Sequence, residues 1–152
     1  MKLSTKGRYG LRAMIDLADY SEEMPQSIAN IAARQSISDS YLEQLMAKLK
    51  KAGLIESIRG SQGGYVLARA SSSISVGDIL RALEGDLSPV KCAGIKGESG
   101  CSGSGSCVTR NVWKRIDDSI QSAVDSIYLN ELVEDNRKMR LDNGDNTISC
   151  DL

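Results

Sequence analysis

Up to Gly53 the apolar residues of this chain recur every three or four positions; beyond it they fall into two short runs around a glycine-rich turn. The first spacing puts apolar groups on one face of a helix, and the second suits strands, so the order of elements is helices first and a hairpin after them. Leu11, Met14, Ile15 and Ala18 form the face of a first helix, capped by Ser4 or Thr5 and running to about Tyr20. Ser27 caps a short second helix from Ile28 to about Gln35, and Ser36-Ile37-Ser38 is a tight connector. A third helix runs from about Asp39 to Ala52 on a stripe of Leu42, Leu45, Met46 and Leu49, stopped by Gly53. Leu54-Ile55-Glu56-Ser57-Ile58 and Tyr65-Val66-Leu67 then pair across Arg59-Gly60-Ser61-Gln62-Gly63-Gly64. Ser75 caps a fourth helix, about Val76 to Glu84, which ends at Gly85.

Helix, turn, helix and glycine-tipped hairpin, in that order, make a winged helix-turn-helix. A major groove about 12 Å wide admits one helix, provided that helix is polar at its start and apolar toward its own domain. The third helix meets both conditions, with Ser38, Ser40, Tyr41, Glu43 and Gln44 in its first turns. Glu43 can accept from a cytosine amino group and Gln44 can pair with adenine, while Lys48 and Lys51 reach for phosphates. Arg59, Ser61 and Gln62 sit in the wing, suited to the minor groove. A second reading of Ser40 and Glu43 is a capping box. Charge agrees with nucleic acid: residues 1–70 carry ten Lys/Arg against seven Asp/Glu, a balance of +3, whereas residues 71–152 carry nine against thirteen, a balance of −4.

The chain has no histidine, which excludes Ser-His and Cys-His catalysis and histidine-ligated zinc; no enzymatic activity is expected. It has four cysteines, and three of them, Cys92, Cys101 and Cys107, fall in a stretch from Pro89 to Cys107 that also holds five of the fourteen glycines. No apolar run is long enough to span a membrane and no secretory leader precedes the first helix, so a cytoplasmic protein is expected. There a disulfide framework is disfavoured and metal, cluster or redox chemistry comes forward. Thiolates converging within a glycine-rich loop suit an iron–sulfur cluster; zinc competes for the same sulfurs, but both ordinarily take four ligands. A further helix is expected from Asn111 to Leu129, on a stripe of Val112, Trp113, Ile116, Ile120, Ala123, Val124 and Ile127. That stripe exceeds what one small domain needs, so it predicts a dimer.

Taken together, the chain resembles the IscR family of bacterial iron–sulfur cluster regulators, through Leu3-Ser4-Thr5-Lys6-Gly7-Arg8-Tyr9, Ser40-Tyr41-Leu42-Glu43-Gln44-Leu45, Arg59-Gly60 with Gly63-Gly64-Tyr65, Ser75-Val76-Gly77-Asp78-Ile79 and the three cysteines before Trp113. The resemblance implies a homodimeric transcription factor on double-stranded DNA with a pseudo-palindromic operator. It also implies a [2Fe–2S] cluster on Cys92, Cys101 and Cys107, reporting iron–sulfur supply to cluster-building genes. In that family a histidine usually stands three positions after the third cysteine as fourth ligand; here the position is Arg110, which does not ligate iron. The fourth ligand is then Cys150 or an oxygen from Glu98, Thr109 or solvent, with the oxygen favoured because ordering the tail to bring Cys150 in costs entropy. A cluster-free thiol redox or sulfur-metabolite-responsive repressor of the same fold is the alternative. The expected fold is mostly α with a small β-hairpin: a winged helix-turn-helix domain over 1–85, a cluster loop over 86–110, a dimerisation helix over 111–133 and a disordered tail over 134–152.

Overall fold

A computed structural model describes residues 3–92 and 105–144. Within them the order is α1 (Thr5–Tyr20), α2 (Ile28–Gln35), α3 (Asp39–Lys51), β1 (Ile55–Ile58), β2 (Gly64–Leu67), a 3-10 turn at Ser71–Ser73, α4 (Val76–Glu84), α5 (Thr109–Asp125) and α6 (Leu129–Asn143). Serines begin the first four helices. Ser4, Ser27, Ser38 and Ser75 each accept a backbone N–H of the first turn, and Asp78 returns the bond to the Ser75 amide. Each cap satisfies a donor that the helix cannot, a contribution of about 1 kcal/mol. Because Ser38 caps α3, Ser40 lies inside the helix, and the capping-box reading of Ser40 and Glu43 does not apply.

The expected stripes close on one another. Met14 and Leu17 of α1, Ile31 of α2, and Leu42, Leu45, Met46 and Leu49 of α3 are buried with Ile55, Ile74, Ile79 and Leu129. Burying each such side chain contributes roughly 1.5–3 kcal/mol. α1 lies close on α4, where a Cβ at Gly10 would stand 2.1 Å from Leu83 Cδ1. α1 is joined to α2 by a polar cluster: the buried Asp16 carboxylate accepts Arg34 through both oxygens and also the Gln35 amide at 2.8 Å. Arg34 in turn donates to Gln26 Oε1 at 2.9 Å. Gln26 then exchanges two backbone hydrogen bonds with Tyr65, at 2.8 and 2.9 Å, and so ties the wing to the helices.

The C-terminal part differs from the sequence expectation. The helix expected from Asn111 to Leu129 ends at Asp125, and a separate helix starts at Leu129; between them, at Ser126–Tyr128, the backbone pairs with Ile74–Val76 instead: Val76 donates to Ile127 at 2.8 Å and Leu129 to Ile74 at 2.9 Å. The polar stretch from Glu134 to Asn143, expected as the start of a disordered tail, is helical. Its apolar anchors, Leu129 and Val133, lie in the first turns and are buried against α1. The rest is held by ions: Arg137 donates to Asp19 Oδ1 at 2.6 Å, Arg140 pairs with the same carboxylate, and Arg140 also lies over the Tyr20 ring. These partners are 118 and 121 residues away in sequence, so no local period could announce them.

Candidate nucleic-acid interface and cysteine site

α3 presents two edges. The inner one carries the buried leucines and Met46; the outer one carries Ser40, Glu43, Gln44, Ala47 and Lys51, all exposed and spaced by three or four. Ser38 and Asp39 lie exposed at its start. Glu43, Gln44 and Lys51 make no side-chain bond among the described residues, so this edge is open to an external partner. Two further sequence candidates also make contacts within the chain. Tyr41 is half-buried, its ring edge-on to Tyr9 at 6.0 Å and its hydroxyl 3.4 Å from Thr5 Oγ1, so it positions α3 against α1. Lys48 turns its Nζ to the Leu83 carbonyl, at 3.5 Å, near the C-terminus of α4.

The wing stands beside α3. β1 and β2 pair antiparallel with Ile55 opposite Leu67 and Ile58 opposite Gly64, and Arg59, Ser61 and Gln62 project from the exposed turn. Lys50 of α3 donates to Ser57 of β1 at 2.6 Å, linking helix and wing. At Gly64 the backbone has φ +154, and a Cβ there would stand 2.6 Å from the Gln26 carbonyl oxygen. Only glycine lets the wing come this close to the Gln26 segment.

Of the cysteines, Cys92 is half-buried and Cys107 exposed, and neither is in a disulfide. Cys107 lies two residues before the start of α5. Its sulfur shares a hydrogen bond with the Thr109 hydroxyl at 3.0 Å. That bond first, then the Arg110 backbone N–H and the Arg110 charge, hold the thiol below its ordinary range despite a small opposing cost of burial. A cysteine at a helix start with a lowered pKa has the chemistry of a soft-metal ligand, so Cys107 suits the ligation expected of it. Cys101, Cys150 and Glu98 lie outside the described residues. Among the described residues no three metal-ligating side chains gather.

α5 packs on α4 through a strip of polar and apolar groups. Asp117 is its buried residue, and Arg81 of α4 donates to Gln121 at 2.7 Å and pairs with Asp125. Val124 packs beside Val76, Leu80 and Leu87. The expected apolar stripe is thus divided: Val124 faces inward, while Val112, Ile116, Ile120 and Ala123 line a shallow groove that opens outward. Val112 is 51% exposed and Ile116 39%.

A helix-turn-helix with a wing, its second helix carrying an open polar edge, defines a winged-helix transcriptional regulator. The comparisons agree. Residues 3–135 match the model of the Rrf2 family, described as an iron-dependent transcriptional regulator. The chain belongs to that family. The HTH-type transcriptional regulator IscR of Vibrio atlanticus is 42% identical over 141 residues, 93% of this chain and 80% of the relative. Among solved structures, T. potens IscR is 44% identical, with 92% of this chain and 91% of that one covered and a TM-score of 0.73. CymR, the global cysteine regulator of B. subtilis, is 42% identical, with 88% and 97% covered and a TM-score of 0.73.

Proposed function

We propose that the chain is a homodimeric, iron–sulfur-cluster-sensing regulator that binds double-stranded DNA from the cytoplasm. The observation that carries the DNA reading is the outer edge of α3, polar, exposed and beside a glycine-tipped wing. Glu43 and Gln44 would read base edges; Lys51 and Arg59 would meet phosphates, with Ser38, Ser40, Ser61 and Gln62 as supporting hydroxyl and amide contacts. The α5 groove with Val112, Ile116, Ile120 and Ala123 is the face offered to a second copy, because a dimer, with two symmetric recognition helices, matches a pseudo-palindromic operator.

Cys92, Cys101 and Cys107 would hold a [2Fe–2S] cluster. The cluster would supply a core that can be oxidised or lost, giving the protein two states. On the chain's side, the Thr109 hydroxyl and the N–H groups at the start of α5 lower the Cys107 pKa, which eases the deprotonation that ligation needs. Arg110 places positive charge beside that sulfur and supplies no fourth ligand. The fourth ligand is then a solvent or side-chain oxygen, Thr109 among them, with Cys150 the competing choice. The similarity to CymR supports a second reading, a thiol-based regulator without a cluster.

Selection of bound duplexes from a random pool, followed by footprinting of loaded and cluster-free protein, tests this. One protected pair of half-sites whose occupancy changes with cluster loading is expected. Equal footprints in both states would contradict cluster sensing, and no selected sequence would contradict the regulator reading for this interface.

A further inference from the structure

We infer that α1 forms a second contact with duplex DNA, in which the Arg8 guanidinium holds a backbone phosphate beside the recognition helix; this rests on the DNA-binding reading of α3. Residues 1–15 hold Lys2, Lys6, Arg8 and Arg12 and no Asp or Glu, so the start of the chain is basic without interruption. The fold puts that start against the groove-facing end of α3. Tyr41, in the first turn of α3, bonds Thr5 and stacks edge-on against Tyr9. Thr5, Tyr9 and Arg12 therefore share the α1 face that meets α2 and α3, and Arg12 confirms the orientation by donating to the Gln35 carbonyl at 2.9 Å. Gly7 and Gly10 define the opposite face, packed on α4. Arg8 is one helical step from Thr5 on the side away from α4, exposed, and without a side-chain partner among the described residues.

The free amides at the start of α1 are not the anion site. Glu84 already accepts from the Ser4 amide at 3.0 Å, the Ser4 hydroxyl at 2.6 Å and the Gly7 amide at 2.9 Å. An incoming phosphate would meet a carboxylate there. The charge available to it is on the side chains, and Arg8 is the one that lies on the α3 side with its donors uncommitted. A guanidinium presents a fork that matches two phosphate oxygens, so a positional contact, indifferent to base sequence, is the chemistry that fits.

The test uses the full-length protein in the state that binds, with a duplex it has itself selected and a random-sequence duplex of equal length. Neutralising one phosphate contact lowers the slope of log affinity against log salt by about 0.9. Arg8→Gln should therefore lower the slope by about 1.8 for a two-fold dimer, with roughly sixty-fold weaker binding at 0.1 M monovalent salt, on both duplexes. Arg8→Lys should restore the slope. Ethylation interference should lose one phosphate per half-site in Arg8→Gln, while the base contacts stay as they were. An unchanged slope and interference pattern in a folded Arg8→Gln protein would overturn the inference and leave the α3 interface standing. Failure of the unsubstituted protein to bind either duplex would instead overturn the DNA-binding reading, and the inference with it.

Discussion

Gly64→Ala should loosen the wing from the helices. The new Cβ would lie 2.6 Å from the Gln26 carbonyl oxygen and 2.7 Å from its carbon, and these are backbone atoms that no rotamer change can move aside. Relief requires β2 to withdraw, which breaks the Gln26–Tyr65 pair of hydrogen bonds at 2.8 and 2.9 Å. Two partly buried backbone bonds contribute about 1 kcal/mol each, and a positive φ adds about 1–2 kcal/mol for a residue with a Cβ. The expected loss is about 3–4 kcal/mol, a large share of an ordinary domain's stability. Gly60→Ala is the control: its φ is +115, but nothing lies within 4 Å of a Cβ there, so only the backbone cost of about 1–2 kcal/mol applies. Urea unfolding followed by far-ultraviolet circular dichroism measures both. Gly64→Ala should also weaken DNA binding, because Arg59, Ser61 and Gln62 lose their fixed position beside α3. Equal losses in the two variants, or a loss at Gly64 below about 1 kcal/mol, would refute the close-approach reasoning.

Glu43→Ala should broaden the set of duplexes bound, since a carboxylate near phosphates is repelled except where a cytosine amino group receives it; a base-edge contact carries about 1–3 kcal/mol of discrimination, and selection from a random pool would show it. Ile120→Glu should yield a monomer by sedimentation, with little operator affinity, because it puts a charge in the outward groove of α5. Glu84→Gln should reduce stability by about 1 kcal/mol at neutral pH, discounted for partial exposure. Burial works against the Glu84 charge, but bonds from Ser4 and Gly7 and the nearby Lys6 outweigh it and hold the carboxyl below its ordinary range. A lowered folded pKa means that this contribution is full above the unfolded value and disappears as pH falls through the folded one, so unfolding curves of the two proteins should converge on acidification.

Much of the DNA-facing part was legible because its determinants are local. Serine caps, leucine stripes at helical spacing and a glycine cluster between two apolar runs each fix a short segment, and their order fixes the winged helix. What stayed hidden depends on distance. α6 looks polar and unstructured in sequence, and is held as a helix by Leu129 and Val133 buried against α1 and by Asp19 of α1, which receives Arg137 and Arg140. The break between α5 and α6 comes from pairing with Ile74–Val76, about fifty residues upstream, which no period encodes. The contacts of Tyr41 with Tyr9 and Thr5, which tie α3 to α1, are visible only in the fold. The bond of Lys48 to the Leu83 carbonyl is likewise visible only in the fold. At the cysteine site the residue types carried the chemistry, while the Thr109 hydroxyl that lowers the Cys107 pKa became visible only in the fold.

The central claim, a cluster on three cysteines without a histidine, is tested most directly by anaerobic purification with visible absorption and iron and acid-labile sulfide counts on the unsubstituted protein and its cysteine variants. A red-brown protein with equimolar iron and sulfide is expected. Cys92→Ala, Cys101→Ala and Cys107→Ala should each abolish both colour and iron, whereas Cys150→Ala should leave them nearly unchanged. A colourless unsubstituted protein, carrying zinc or no metal, would contradict the account.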